Sequence, residues 1–284
     1  MAGTARQVHL GRKLKELRHA AGLSLEQVSE HVERSRSAVG HWERGFTRIG
    51  AQDLAAVLRL YETDEELTEQ LQTLRRESGK RGWWHSYKLP PYMTPFIGFE
   101  AEASEVFHFE LGIVPGLLQT ESYARAVHES GRLVLSDEEL REWVDARLKR
   151  QERLDKGGGL TLHAVIAEEA VRRVVGSPGV MAEQLEHLQR VCKKPSLKLQ
   201  VLPFDAGAHV GAHGPITVLR FPDAGHGDVA FSDTPLGGHV IDDLRDVAEL
   251  SRLFAELKAQ ALPERESVAM LSSIRDAHAT RSKE

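Results

Sequence analysis

The segment LSLEQVSEHVERSRSAVGHWERG, Leu23 to Gly45, constrains this chain most, because caps, apolar spacing and glycine together fix two short helices and the tight turn between them. Ser24 opens Ser-Leu-Glu-Gln, a capping box in which its hydroxyl accepts from a helical amide while Gln27 reaches back. Leu25, Val28 and Val32 supply the apolar stripe of that helix. Ser35 caps the next one, Val39 and Trp42 fall three apart, and Gly45 closes it. With Val39 and Trp42 turned inward, Arg36, Ser37, Gly40, His41 and Arg44 lie on the opposite face. Small side chains at Ser37 and Gly40 admit close approach to base edges. Arg36 has the fork for guanine, and Arg44 and Arg48 have the reach for phosphates.

Net charge agrees only locally. The 284-residue chain carries −5, which excludes a polycation, yet Met1 to Gly45 holds eight Lys or Arg against five Glu. The expected partner is double-stranded DNA.

The same residues resemble the lambda-repressor-like, xenobiotic-response-element family, at Ser24, Val28, Ser35, Val39, Glu43, Arg44 and Gly45. Two positions depart from its pattern. Leu25 stands where many members carry a phosphate-contacting Gln, and Glu33 stands where the turn glycine is usual. The resemblance implies a sequence-specific transcriptional regulator, with Ser24, Gln27, Ser35, Arg36, Ser37, Gly40, His41, Arg44 and Arg48 as its DNA-facing set.

Around this pair, Leu10, Leu14, Leu17 and Ala21 mark a first helix ended by Gly22, and 51–61 and 64–76 are two more amphipathic stretches. The expectation is an all-α five-helix domain over 1–78, then an irregular aromatic and Pro-rich connection over 79–99. A mixed α/β (α+β) domain over 100–275 and a frayed tail over 276–284 complete the chain. In that second domain 100–154 reads as helical, broken at 112–116. The β-branched runs 160–167, 196–204, 215–221 and 228–233 read as strands, with helices at 168–175, 180–192 and 242–261.

VPGLLQTESYARA (114–126), RLKRQERL (147–154) and VIAEEAVRRVVG (165–176) resemble the domain that follows such helix-turn-helix modules in actinobacterial, WhiJ-like, antitoxin-like regulators. That resemblance implies a small companion protein encoded nearby. From the residues, Gln119, Thr120 and Tyr123 stand near a helix start able to hold an anion or an incoming segment. Arg147, Arg150 and Gln151 read as a solvated face or a second contact patch.

Catalysis and metal binding find little support. His209 and His213 sit in a glycine-rich loop; His163, Glu168 and Glu169 suit strand and helix-start positions, with no nucleophile beside them. Expected cofactors and metals are none, and the chain is not expected to be an enzyme. The single Cys192 reads as a small buried hydrophobe in a reducing compartment. The absence of a signal-type segment or an 18-residue apolar run suggests a cytoplasmic, nucleoid-associated protein without membrane contact. The function these features favour is a dimeric repressor controlled through its second domain by a ligand or the companion protein. The alternative is an antitoxin-like protein that neutralises the companion and autoregulates its operon.

Overall fold

The computed structural model describes residues 5–79, 82–131, 134–155, 159–222, 227–234 and 236–282. They form two compact units: Met1–His85 with Pro90–Phe99, and Ser86–Leu89 with Glu100–Glu284.

The first unit is all-helical: α1 (Ala5–Ala20), α2 (Leu25–His31), α3 (Arg36–Glu43), α4 (Ala51–Leu60) and α5 (Glu65–Glu77). Ser24, Ser35 and Asp64 cap α2, α3 and α5 through their side chains, so the orphan amides of these short helices are met locally. Leu10, Leu14, Val28, Val39, Trp42, Leu54, Val57, Leu58 and Leu71 bury one shared core. α2, α3 and α4, of 7, 8 and 10 residues, are too short to be stable alone, so this common core holds them.

The 79–99 stretch is more regular than expected. It contains a 3-10 turn (Trp83–Ser86), and from Met93 it is already helical, in α6 (Met93–Glu102).

The second unit is built on a six-stranded mixed sheet, order β3-β2-β1-β4-β5-β6. The strands are β1 (Glu105–Glu110), β2 (Thr161–Ala167), β3 (Leu197–Leu202), β4 (Ile216–Arg220), β5 (Val229–Thr234) and β6 (Gly237–Ile241). β1, β2 and β3 run parallel, joined by helical crossovers: α7 (Glu121–Glu129) with α8 (Asp137–Asp155), then α9 (Glu168–Arg172) with α10 (Pro178–Val191). β4, β5 and β6 form an antiparallel meander against β1. One sheet face, with Phe109, Val165, Ile216, Val218 and Ala230, packs on Val247, Phe254 and Leu257 of α11 (Leu244–Gln260).

Three expectations are corrected. Residues 105–110, read as part of a helical region, are a central strand that pairs with both β2 and β4. A sixth strand, β6, pairs antiparallel with β5 at the edge of the sheet. The supposed frayed tail is helical to Arg281 in α12 (Glu264–Arg281), whose Leu271, Ile274 and His278 are buried. No helix among the described residues is long and apolar enough to cross a membrane.

Candidate nucleic-acid interface

In α2 the capping box is complete: the Gln27 amide donates to Ser24 Oγ at 3.2 Å and the Ser24 amide to Gln27 Oε1 at 2.8 Å. After α2 the chain turns through Glu33, whose φ of +53° is left-handed, so this glutamate adopts the conformation a glycine would otherwise supply. The Arg34 amide donates to Ser29 O at 3.0 Å and fixes the turn. Ser35 Oγ then accepts from the Ala38 amide at 3.2 Å and lies 3.2 Å from Ser37 Oγ.

The faces of α3 separate as their chemistry requires. Val39, Trp42 and Glu43 are buried, whereas Arg36, Ser37 and Arg44 are exposed and Gly40 and His41 partly so. A Cβ added at Gly40 would find only Arg44 Nη2, 3.8 Å away, so the exposed surface of the helix is uncrowded there. Arg36 Nε lies 3.6 Å from Glu26 on α2, both strongly exposed, a contact too solvated to hold the guanidinium back.

Behind the helix, Arg18 of α1 grips Glu43 bidentately, Nε to Oε1 at 2.6 Å and Nη2 to Oε2 at 3.0 Å, and Nη1 donates to Leu23 O at 2.8 Å. The hydrogen bond to Glu43 raises the Arg18 pKa. Gly45 is held at φ +66°, where a Cβ would meet the Val8 backbone at 2.5 Å, so α1 and the end of α3 approach to glycine distance. Together the ion pair and the glycine fix the angle at which α3 is presented.

Arg48 is corrected. Its Nη2 donates to the carbonyls of Arg75 and Arg76 at 2.9 and 3.5 Å, so it caps the C-terminal end of α5 rather than extending as a free cation toward a phosphate. A feature the sequence reading missed is Phe46, 49% exposed, with the Arg44 guanidinium 5.1 Å above its ring and His41 5.9 Å away. An aromatic just past a helix-closing glycine reads as core in sequence. Here it enlarges the outward surface at the end of α3.

In the second unit the six candidate residues are all engaged within the fold, some with one another and Arg150 with Glu100. Gln119 Nε2 donates to Val114 O at 2.7 Å, Arg147 Nη1 to Gln119 Oε1 at 2.6 Å, and Gln151 Nε2 to the carbonyls of Gly116 and Gln119 at 3.1 and 2.8 Å. The Val114 amide donates to Tyr123 Oη at 3.0 Å, and the buried hydroxyl is pushed up to about 12. Burial likewise lowers the Arg147 guanidinium to about 10. Arg150 is clamped on Glu100, both bonds 2.7 Å. The α7 start is already filled, since Thr120 Oγ1 accepts from the Tyr123 amide and the Thr120 amide donates to Gln184. These residues knit PGLLQT to α8 and α10 and form neither a solvated face nor an open anion site.

The remaining candidates are similarly engaged. His163 stacks on Phe107 and bonds Glu105 at 3.1 Å; Glu168 pairs with Arg172 and accepts from the Phe204 amide. His209 packs edge-on to Phe109, in a loop that closes as a 3-10 turn (Val210–His213). Cys192 caps α10, its thiol pushed up to about 11 by burial.

Comparison with known families also divides the chain in two, although the second match begins at residue 93, within the first compact unit. A helix-turn-helix domain family matches residues 9–71, and a family described as domain of unknown function (DUF5753) matches residues 93–273. No curated protein and no solved structure matches the chain. The first match, with the open face of α3, makes this a DNA-binding regulator. By the second, which spans more than half its length, the chain belongs to the DUF5753 family.

Proposed function

We propose that the protein is a dimeric, sequence-specific transcriptional repressor whose α3 enters the major groove. The observation that carries the reading is the division of α3: Val39 and Trp42 buried, Arg36, Ser37 and Arg44 exposed, and open space over Gly40. Arg36, near the helix start, reads a base edge; Arg44, at its end, holds a phosphate. The module is of the lambda-repressor-like, xenobiotic-response-element kind, and the second unit is that of WhiJ-like regulators. That unit pairs the readers and receives the controlling ligand or companion protein. The role is one of binding rather than catalysis, consistent with His163 and Glu168 being engaged in local packing and hydrogen bonds.

Titration of Arg36→Ala and Arg44→Ala on operator and random duplexes tests this. Arg36→Ala should lose about 1–3 kcal/mol on the operator and relax preference at one base pair, while Arg44→Ala weakens all duplexes alike and lowers the salt dependence. Equal losses on both duplexes for both variants would show that the faces are wrongly assigned.

A further inference from the structure

The two edges of the sheet are treated differently. At β3 the outer backbone groups of Val201 are both met: the Leu262 amide donates to Val201 O at 2.9 Å and the Val201 amide donates to Ser267 Oγ at 2.9 Å. At β6, among the described residues, no backbone hydrogen bond arrives from outside the hairpin. The strand is Gly-Gly-His-Val-Ile, without the lysine, proline or bulge that natural edges use to repel another strand. Both ends of this edge are apolar and bare: Leu236 is 89% exposed and Leu244 58%.

We propose that β6 is the interface between two copies of this chain, paired antiparallel about a two-fold axis at His239 so that the two sheets become one. This deepens the dimeric reading above and rests on it. The hairpin alternation makes Thr234–Gly237, Ser232–His239 and Ala230–Ile241 the mutually bonded pairs, which turns the amides and carbonyls of Gly238 and Val240 outward. An axis through His239 sets Gly238 opposite the partner's Val240, so each outward donor meets an outward acceptor, twice over. The same axis sets each Leu236 opposite the partner's Asp242, two residues before the exposed Leu244 that opens α11, so the two ends of the seam are identical by symmetry. A shared edge is self-complementary in this register, which favours a second copy over an unrelated strand.

His239 then faces its own copy in a pair without mutual hydrogen bonds, with Cα atoms about 4.5 Å apart. His239→Cys, in a Cys192→Ser background, should therefore crosslink to a covalent dimer under mild oxidation. Light scattering of the unmodified full chain at high micromolar concentration should give twice 31.6 kDa. Val240→Pro, which removes one outward amide at an edge where proline is tolerated, should halve that mass with unchanged circular dichroism. Leu236→Asp with Leu244→Asp, at exposed positions where the new charge meets the partner's Asp242 and Asp243, provides the same reading should the proline variant misfold. A monomeric wild type, or a dimer that neither crosslinks at residue 239 nor responds to these variants, overturns the proposal. Titration with operator DNA keeps the two claims apart: a crosslinkable dimer that binds no duplex would refute the DNA reading and leave the interface standing.

Discussion

Removing Glu43 should strongly destabilise the DNA-binding unit without touching its outward face. Arg18 and Glu43 retain 8% and 6% side-chain exposure and share two hydrogen bonds. Truncating one partner of such a pair leaves an uncompensated buried charge, at a cost of about 3–5 kcal/mol. Arg18 would keep its bond to Leu23 O and a long contact to His19 Nε2, neither of which neutralises its charge. A helical unit of this size has a total stability of roughly 4–11 kcal/mol, so Glu43→Ala lowers its melting temperature by at least about 12 °C. Replacing both partners by apolar residues, Arg18→Met with Glu43→Leu, removes the orphaned charge and should return stability to within about 1 kcal/mol of wild type. Urea titration followed by amide exchange in α1–α5 compares wild type, Glu43→Ala and the double variant. A single variant within about 1 kcal/mol of wild type, or a double variant as unstable as Glu43→Ala, would refute the argument.

Two further outcomes follow from burial. Trp42, 8% exposed in the same core, should cost about 3–5 kcal/mol as Trp42→Ala, so that DNA binding is lost through melting; an unchanged melting curve would contradict it. His128, its Nε2 sealed without a partner and its ring edge-on to Trp143, is held down to about 3 by burial and then by Arg147. The folded state therefore keeps it neutral while the unfolded state protonates below 6.5, so its contribution is present above 6.5 and is lost as pH falls toward 3. Between pH 7 and 5 the second unit should lose roughly 1–2 kcal/mol through this residue, and His128→Phe should flatten that part of the dependence in melts at the two pH values.

Much of the first unit was legible because its determinants are local. Ser24 with Gln27, Ser35 with Ala38 and the Val39–Trp42 spacing lie within one or two turns of what they organise. Arg18 and Glu43 lie 25 residues apart, and Arg48 finds its carbonyls 27 residues on, so neither role shows in spacing. β1 was missed for the same reason. Its polar Glu105 and His108 make sense only beside His163 and Thr217, which the chain reaches 58 and 109 residues later. In β6 two glycines weaken the strand signal, and in α12 the buried positions include Ser267 and His278, which disguise an amphipathic helix as a polar tail. Gln119, Arg147 and Gln151 were visible as unusual polar residues, but only the fold reveals that they bond one another.

Gly40 offers the most direct test of the claim that α3 reads DNA, because there fold and function should move in opposite directions. A Cβ at this position meets nothing nearer than Arg44 Nη2 at 3.8 Å, an ordinary contact with the end of a flexible side chain, so the fold tolerates the first atom of Gly40→Leu. It should raise stability by up to about 1 kcal/mol through helix propensity. In the groove the same side chain would occupy the space of a base edge. The account predicts a melting temperature equal to or above wild type, with operator affinity reduced by about 100-fold or more, the equivalent of roughly 3 kcal/mol. A stable Gly40→Leu protein that binds its operator as tightly as wild type would contradict it.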